Sequence, residues 1–177
     1  MRPLFTIHAG EYLVAEHIER TFPKWRVWIP SKDTGVDLLV TGKGNRKAVS
    51  LQVKFSKDFD SSHESPIGWW NYEAKKIRSS TADFWVFVLT SFTQKPNYII
   101  VSPDELLRRF KAIHGRNAKR IHSYLCVIKT KHGLQCWDVR NLANADYDLI
   151  ESGRFREKDR NFTKYLNGWM QIDRRLR

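Results

Sequence analysis

The sequence predicts an α/β domain in which a central mixed sheet is flanked by helices. Three observations lead there. Near the start, Ile7, Val14, Ala15 and Ile18 fall on one stripe at helical spacing. Across Ala48–Phe55 the apolar residues Val49, Leu51, Val53 and Phe55 alternate with Ser50, Gln52 and Lys54, as in a strand with one buried face. The run Phe84–Leu89 is apolar throughout, which suits a central strand covered on both sides.

In chain order, Thr6 is a plausible cap for a helix reaching to about Arg20, and Pro23 ends it. Glu11 falls on the packing stripe of that helix. A buried unpaired carboxylate is costly, so it is either a first-turn residue favoured by the helix dipole or part of a site. Trp25, Val27 and Ile29 alternate with charged and bulky neighbours as a strand, and residues 36–40 form another. Residues 41–45, Thr-Gly-Lys-Gly-Asn, read as the hairpin turn into Ala48–Phe55. Residues 56–68 are polar and read as a loop. Residues 69–79 read as a helix with an aromatic entry (Trp69, Trp70, Tyr72) and a basic exit (Lys75, Lys76, Arg78). Asn97–Val101 is a further strand. Ser102, Pro103 and Glu105 then mark a helix start with a capping box. A hairpin around residues 131–133 is expected between strands at 123–129 and 134–139.

The length of 177 residues fits one domain, read here as residues 1–150 with a basic, aromatic C-terminal extension at 151–177 packing on it. Apolar residues make up 41%, so the composition is that of a globular chain rather than a disordered one. The formal net charge of +12 favours a polyanionic partner. Apolar runs fall far short of the roughly 20 residues a membrane helix needs, and the N-terminus lacks the apolar core of a signal peptide. The two cysteines, Cys126 and Cys136, make neither a disulfide framework nor zinc-site spacing. A cytoplasmic protein is expected.

From Leu106 to Trp137 there is no acidic residue. That stretch carries Arg108, Arg109, Lys111, Arg116, Lys119, Arg120, Lys129 and Lys131, and the tail adds Arg154 and Arg156. These are the expected phosphate contacts. Other candidates are weaker. His63 with Asp58, Asp60 and Glu64 matches no defined metal site. Cys136 with His122 or His132 suggests a thiol nucleophile less well than two reduced core cysteines. Trp69 and Trp70 suit either base stacking or packing.

The strongest chemical signal is the stretch from Gly35 to Lys54. A turn joining two strands brings the carboxylate of Asp37, the amide of Gln52 and the ammonium of Lys54 to one sheet edge. Phosphodiester hydrolysis uses such a set: oxygen ligands for Mg²⁺, and a lysine to orient water and steady the transition state. Glu11 on the helix, then Gly35-Val36-Asp37-Leu38-Leu39-Val40, then Leu51-Gln52-Val53-Lys54, resembles the PD-(D/E)XK nuclease superfamily, which includes restriction endonucleases and Holliday-junction resolvases. The resemblance covers residues 7–55 and continues more weakly through residues 82–87 and 98–101.

That resemblance implies a restriction-endonuclease-like core. It implies Asp37, Gln52, the carbonyl of Val53, and Glu11 as ligands of Mg²⁺ (or Mn²⁺), with Lys54 as the catalytic lysine. Two positions depart from the family pattern. Val36 replaces the usual proline before Asp37, and Gln52 replaces an acid, which lowers the charge of the site. Glu11 would restore a second carboxylate. The expected function is a Mg²⁺-dependent DNA endonuclease of restriction or defence type, acting on DNA as a homodimer. The alternatives are a junction-resolvase-like nuclease, a non-catalytic nucleic-acid-binding module on the same fold, and a basic interaction protein of other ancestry.

Overall fold

A computed structural model describes residues 8–31, 34–56, 65–91 and 95–177. The chain opens with α1 (Ala9–Thr21), β1 (Arg26–Trp28), β2 (Leu38–Thr41), β3 (Ala48–Phe55), β4 (Ile67–Glu73) and α2 (Ala74–Arg78). It continues with β5 (Phe84–Leu89), β6 (Asn97–Val101), α3 (Pro103–His114), β7 (Arg120–Thr130), β8 (Gly133–Asp138), α4 (Asn144–Glu151) and α5 (Met170–Leu176). The result is mixed α/β with two sheets. The first has five strands in the order β1-β2-β3-β5-β6; β3 and β5 run parallel and the other neighbours antiparallel. The second, β4-β7-β8, is antiparallel. No described helix is long and apolar enough to cross a membrane.

The five-stranded sheet is covered on both faces. On one, Val14 and Ile18 of α1 pack with Leu38, Val40, Val49, Leu51 and Val53. On the other, the inner faces of β4 and β7 pack with Leu106 and Phe110 of α3. All six residues of β5 are buried, and they divide by alternation: Phe84, Val86 and Val88 join the α1 side, while Trp85, Phe87 and Leu89 join the β4/β7 side. This is why the run could be apolar throughout. At the β2–β3 hairpin, Gly44 (φ 87°) and Asn45 (φ 55°) take the left-handed conformations that a tight turn requires.

Residues after 150 enter both cores. Phe162 and Tyr165 join the β4/β7 side, and Trp169 and Ile172 join the α1 side. Asn167 fastens this segment to β6. Its N–H donates to the Tyr98 carbonyl, and its side-chain oxygen accepts from the Tyr98 N–H.

Three local expectations are corrected. Residues 69–79 are not one helix: β4 occupies Ile67–Glu73, and only Ala74–Arg78 is helical. Trp70 and Tyr72 are buried while Trp69, Asn71 and Glu73 are exposed, a period of two that the adjacent tryptophans obscure. The helix cap falls at His8, with the expected Thr6 outside the described residues. Ser102 does precede Pro103 at the start of α3, but Glu105 does not close a capping box. Its carboxylate is drawn instead to Arg108, Arg109 and the Tyr165 hydroxyl.

Asp138, at the end of β8, is fully buried. It accepts hydrogen bonds from the Ser123 hydroxyl at 3.0 Å and from the N–H of Arg140 at 3.2 Å. Burial wins over these donors and pushes its pKa up from 3.8 to about 6. Between those values the unfolded chain has lost the proton and the folded one keeps it, so stability falls as pH rises through that window. The stability of the wild type relative to Asp138→Asn should therefore drop by up to about 3 kcal/mol between about pH 4 and pH 7. Urea unfolding at both pH values checks this, and an unchanged difference would contradict it.

Candidate active site

Asp37 stands just before β2. Its N–H donates to the Leu51 carbonyl at 2.8 Å, and its Oδ2 accepts the Val53 N–H at 2.6 Å. The pairing of Leu38 with Leu51 sets Asp37 across from Gln52. Gln52 and Lys54 project together, opposite Leu51 and Val53, and the Asp37 carboxylate sits beside them on the β3 backbone at Val53. The main-chain bonds fix the Asp37 carboxylate against the β3 backbone. Because the N–H and C=O of one strand residue point to the same edge, the Val53 carbonyl also faces the Asp37 side.

Gln52 and Lys54 line a cleft of about 690 Å³ between the first sheet and β4, whose wall includes Trp85, Lys76 and Arg120. The Lys54 ammonium lies 5.0 Å from the centre of the Trp85 ring, a cation–π distance that orients it across the cleft floor.

Glu11 arrives from the opposite layer. It is buried, and its carboxylate accepts the His8 N–H at 3.1 Å, so it caps its own helix. α1 comes very close to β3 there. A Cβ built on Gly10 would sit 2.5 Å from the Phe55 Cβ and 3.3 Å from Val53 Cγ1, so glycine is required. That approach brings Glu11 to the end of β3 that carries Lys54.

The donors suit Mg²⁺ in kind. They are all oxygens, and Mg²⁺ takes few protein ligands and keeps several waters. They are sparse in charge: Asp37 is the one carboxylate that the β2–β3 hairpin brings to this set, beside the neutral Gln52. Among the described residues no three or more His, Cys, Asp or Glu side chains gather as a metal cluster. The His63, Asp58, Asp60 and Glu64 candidates lie outside the described residues. The two thiols are unsuited to nucleophilic work, because burial pushes Cys126 up to about 12 and raises Cys136 as well.

The basic residues divide into three groups. Around the site, three adjoining clefts share their lining. Lys54, Lys76 and Arg120 belong to the first; Lys75, Arg78, Arg116, Lys119 and Arg120 to the second; Arg108, Lys111 and Arg116 to the third. Arg120 and Arg116 are the joints of one continuous basic track. The α2 cations on it were visible in the sequence as a basic exit, but their position beside Lys54 depends on the turn from β4 into α2. At the other end of β7, about 30 Å away at the usual strand rise, Lys129 and Lys131 stand with Arg154 and Arg156 near the β7–β8 turn.

Arg109 forms the third group alone and is a correction. It is buried, paired with Glu105 at 2.9 Å, and its Nη1 donates to the carbonyls of Lys158, Asp159 and Asn161. It holds the fold together and faces no ligand. Arg108, half-exposed, pairs with Glu105 and Asp159.

No family model, curated protein or solved structure matches this chain.

Proposed function

We propose that the protein is a Mg²⁺-dependent DNA endonuclease with a restriction-endonuclease-like core. The observation that carries this reading is the Asp37 carboxylate held on the β3 backbone at Val53, between Gln52 and Lys54, which line a cleft that continues into the basic track. The sheet supports it too. An antiparallel β1-β2-β3 unit followed by the parallel pair β3-β5 is the setting in which the Asp and Q-x-K elements of the resemblance would lie together.

Asp37, the amide oxygen of Gln52 and the Val53 carbonyl would hold the metal, with Glu11 as the second carboxylate from α1. The ion supplies charge neutralisation at the phosphate and a more acidic water. Lys54 orients that water and offers a positive charge to the phosphate oxygens as they gain charge. The basic track holds the backbone in register. Restriction or defence work would use a homodimer, since cutting two strands takes two sites.

The neutral Gln52 favours a second reading, a binding module that keeps the fold without catalysis. One assay separates the two. The purified protein should nick supercoiled plasmid in Mg²⁺ or Mn²⁺ and leave it intact in chelator. Gln52→Glu should lower the Mg²⁺ needed for half-maximal nicking by roughly tenfold, because it adds a charged ligand. A wild type that binds DNA but cuts no DNA substrate in either metal refutes the enzyme and leaves the binding module.

A further inference from the structure

The three-stranded sheet has an outer face that is only half roofed. Over one half, Ile67, Cys126, Ile128, Trp137 and Val139 pack beneath Ile150 of α4. The other half carries three cross-strand pairs that share the outward side: Trp69 with Tyr124, which is itself half-buried at the edge of the roofed cluster, Asn71 with His122, and Glu73 with Arg120. Trp69 is 42% exposed, and Asn71, Glu73 and Arg120 are also exposed. An indole held outward from mid-strand is costly to leave in water, and the backbone that carries it is tied down: the Trp69 main-chain N–H donates to the Ser56 hydroxyl at 3.2 Å.

The chemistry around it selects a ligand. Arg120 pairs with Glu73 on this half of the face, and Lys75, Lys76 and Lys119 line the clefts that adjoin those two residues. Aromatic faces beside a basic rim are what an unstacked nucleobase and its phosphates require. Arg120, Asn71 and Glu73 also line the cleft that holds Gln52 and Lys54, so the platform runs into the candidate site.

We infer that the Trp69–Tyr124 face binds single-stranded nucleic acid by stacking an unpaired base on Trp69 while Arg120 contacts its phosphate, so that the preferred substrate carries unpaired nucleotides beside the cut. Only the link to cutting rests on the nuclease reading. The stacking is independent of it and is read in chelator.

The test measures binding of a short fluorescent oligo(dT), its ribose counterpart and the matching dA·dT duplex to the full chain in chelator at moderate salt. Wild type, Trp69→Ala and Trp69→Phe are compared. Trp69→Ala should weaken both single strands by roughly tenfold or more, leave the duplex within about twofold, and leave the salt dependence unchanged. Trp69→Phe should recover most of the loss. Wild-type tryptophan emission should be quenched on saturation with oligo(dT), and the quench should shrink in Trp69→Phe. Because the indole is exposed, all three proteins should melt alike. Equal single-strand affinity in Trp69→Ala and wild type overturns the proposal, and so does an equal loss toward single strand and duplex. If plasmid stays intact in Mg²⁺ while Trp69 still discriminates the strand forms, the nuclease reading fails and the stacking face stands.

Discussion

Lys54→Ala should slow plasmid nicking by roughly 10²- to 10⁴-fold, the range expected when a positioned proton-transfer or charge-stabilising group is lost. DNA affinity should fall only a few-fold. The reason lies in how the two jobs are distributed. On the proposed reading, binding would be spread over Lys75, Lys76, Arg78, Arg116, Lys119 and Arg120 along the track, and removing one cation should lower the salt slope by about one at most. On the same reading, orientation of the attacking water would fall to Lys54, which shares a strand face with Gln52. The contact the side chain gives up over Trp85 is worth about 0.5–1 kcal/mol, and the folded state should survive its loss. Single-turnover nicking, a binding isotherm in chelator and a melt check the three parts. Nicking at the wild-type rate by Lys54→Ala would remove Lys54 from the mechanism. Affinity lost in step with nicking would make it a phosphate contact only.

How legible was this in the sequence? Where a strand repeats one chemical pattern, its bounds could be read directly. Ala48–Phe55 and Asn97–Val101 come out with the limits expected from alternation and apolar content. The register of the β2–β3 hairpin, which sets Asp37 against the backbone of Val53, was also readable, because a hairpin of known turn chemistry leaves little freedom of register. β4 was not readable. Trp69 and Trp70 are adjacent aromatics that belong to opposite faces, one open to water and one in the core. Only tertiary packing distinguishes them. The same error hid the α2 cations at the cleft, since a helix over 69–79 would have carried Lys75 and Lys76 elsewhere. Glu11 shows a different limit. Its position on the packing face was evident, but its hydrogen bond to His8 and the tight seat of Gly10 on Phe55 belong to the assembled fold.

Arg109 marks the clearest boundary of sequence reasoning. In a run without acids it reads as one more phosphate contact, yet its partners lie about fifty residues onward. Arg109→Ala should cost about 3–5 kcal/mol, because it strips a buried ion pair of one member and leaves carbonyls without their donor. Three carbonyls, those of Lys158, Asp159 and Asn161, accept from one guanidinium nitrogen at 2.7–3.0 Å, while the Phe162 and Tyr165 rings lie 5.2 and 5.1 Å from its centre. The group therefore joins α3 to the segment that enters both cores. Glu105 softens the loss, since Arg108 and the Tyr165 hydroxyl still hold its carboxyl well below the ordinary carboxylate range. Melting should fall by about 10 °C for a chain of this size. Arg109→Lys should recover only part of it, because an ammonium keeps the charge but lacks the planar fork that reaches Glu105 and the carbonyls together. The salt slope of DNA binding, measured well below the melting point, should be unchanged in Arg109→Ala, whereas a phosphate-contacting arginine would lower it by about one. A stable Arg109→Ala with a reduced slope would return Arg109 to the binding surface and undo the structural role assigned to it.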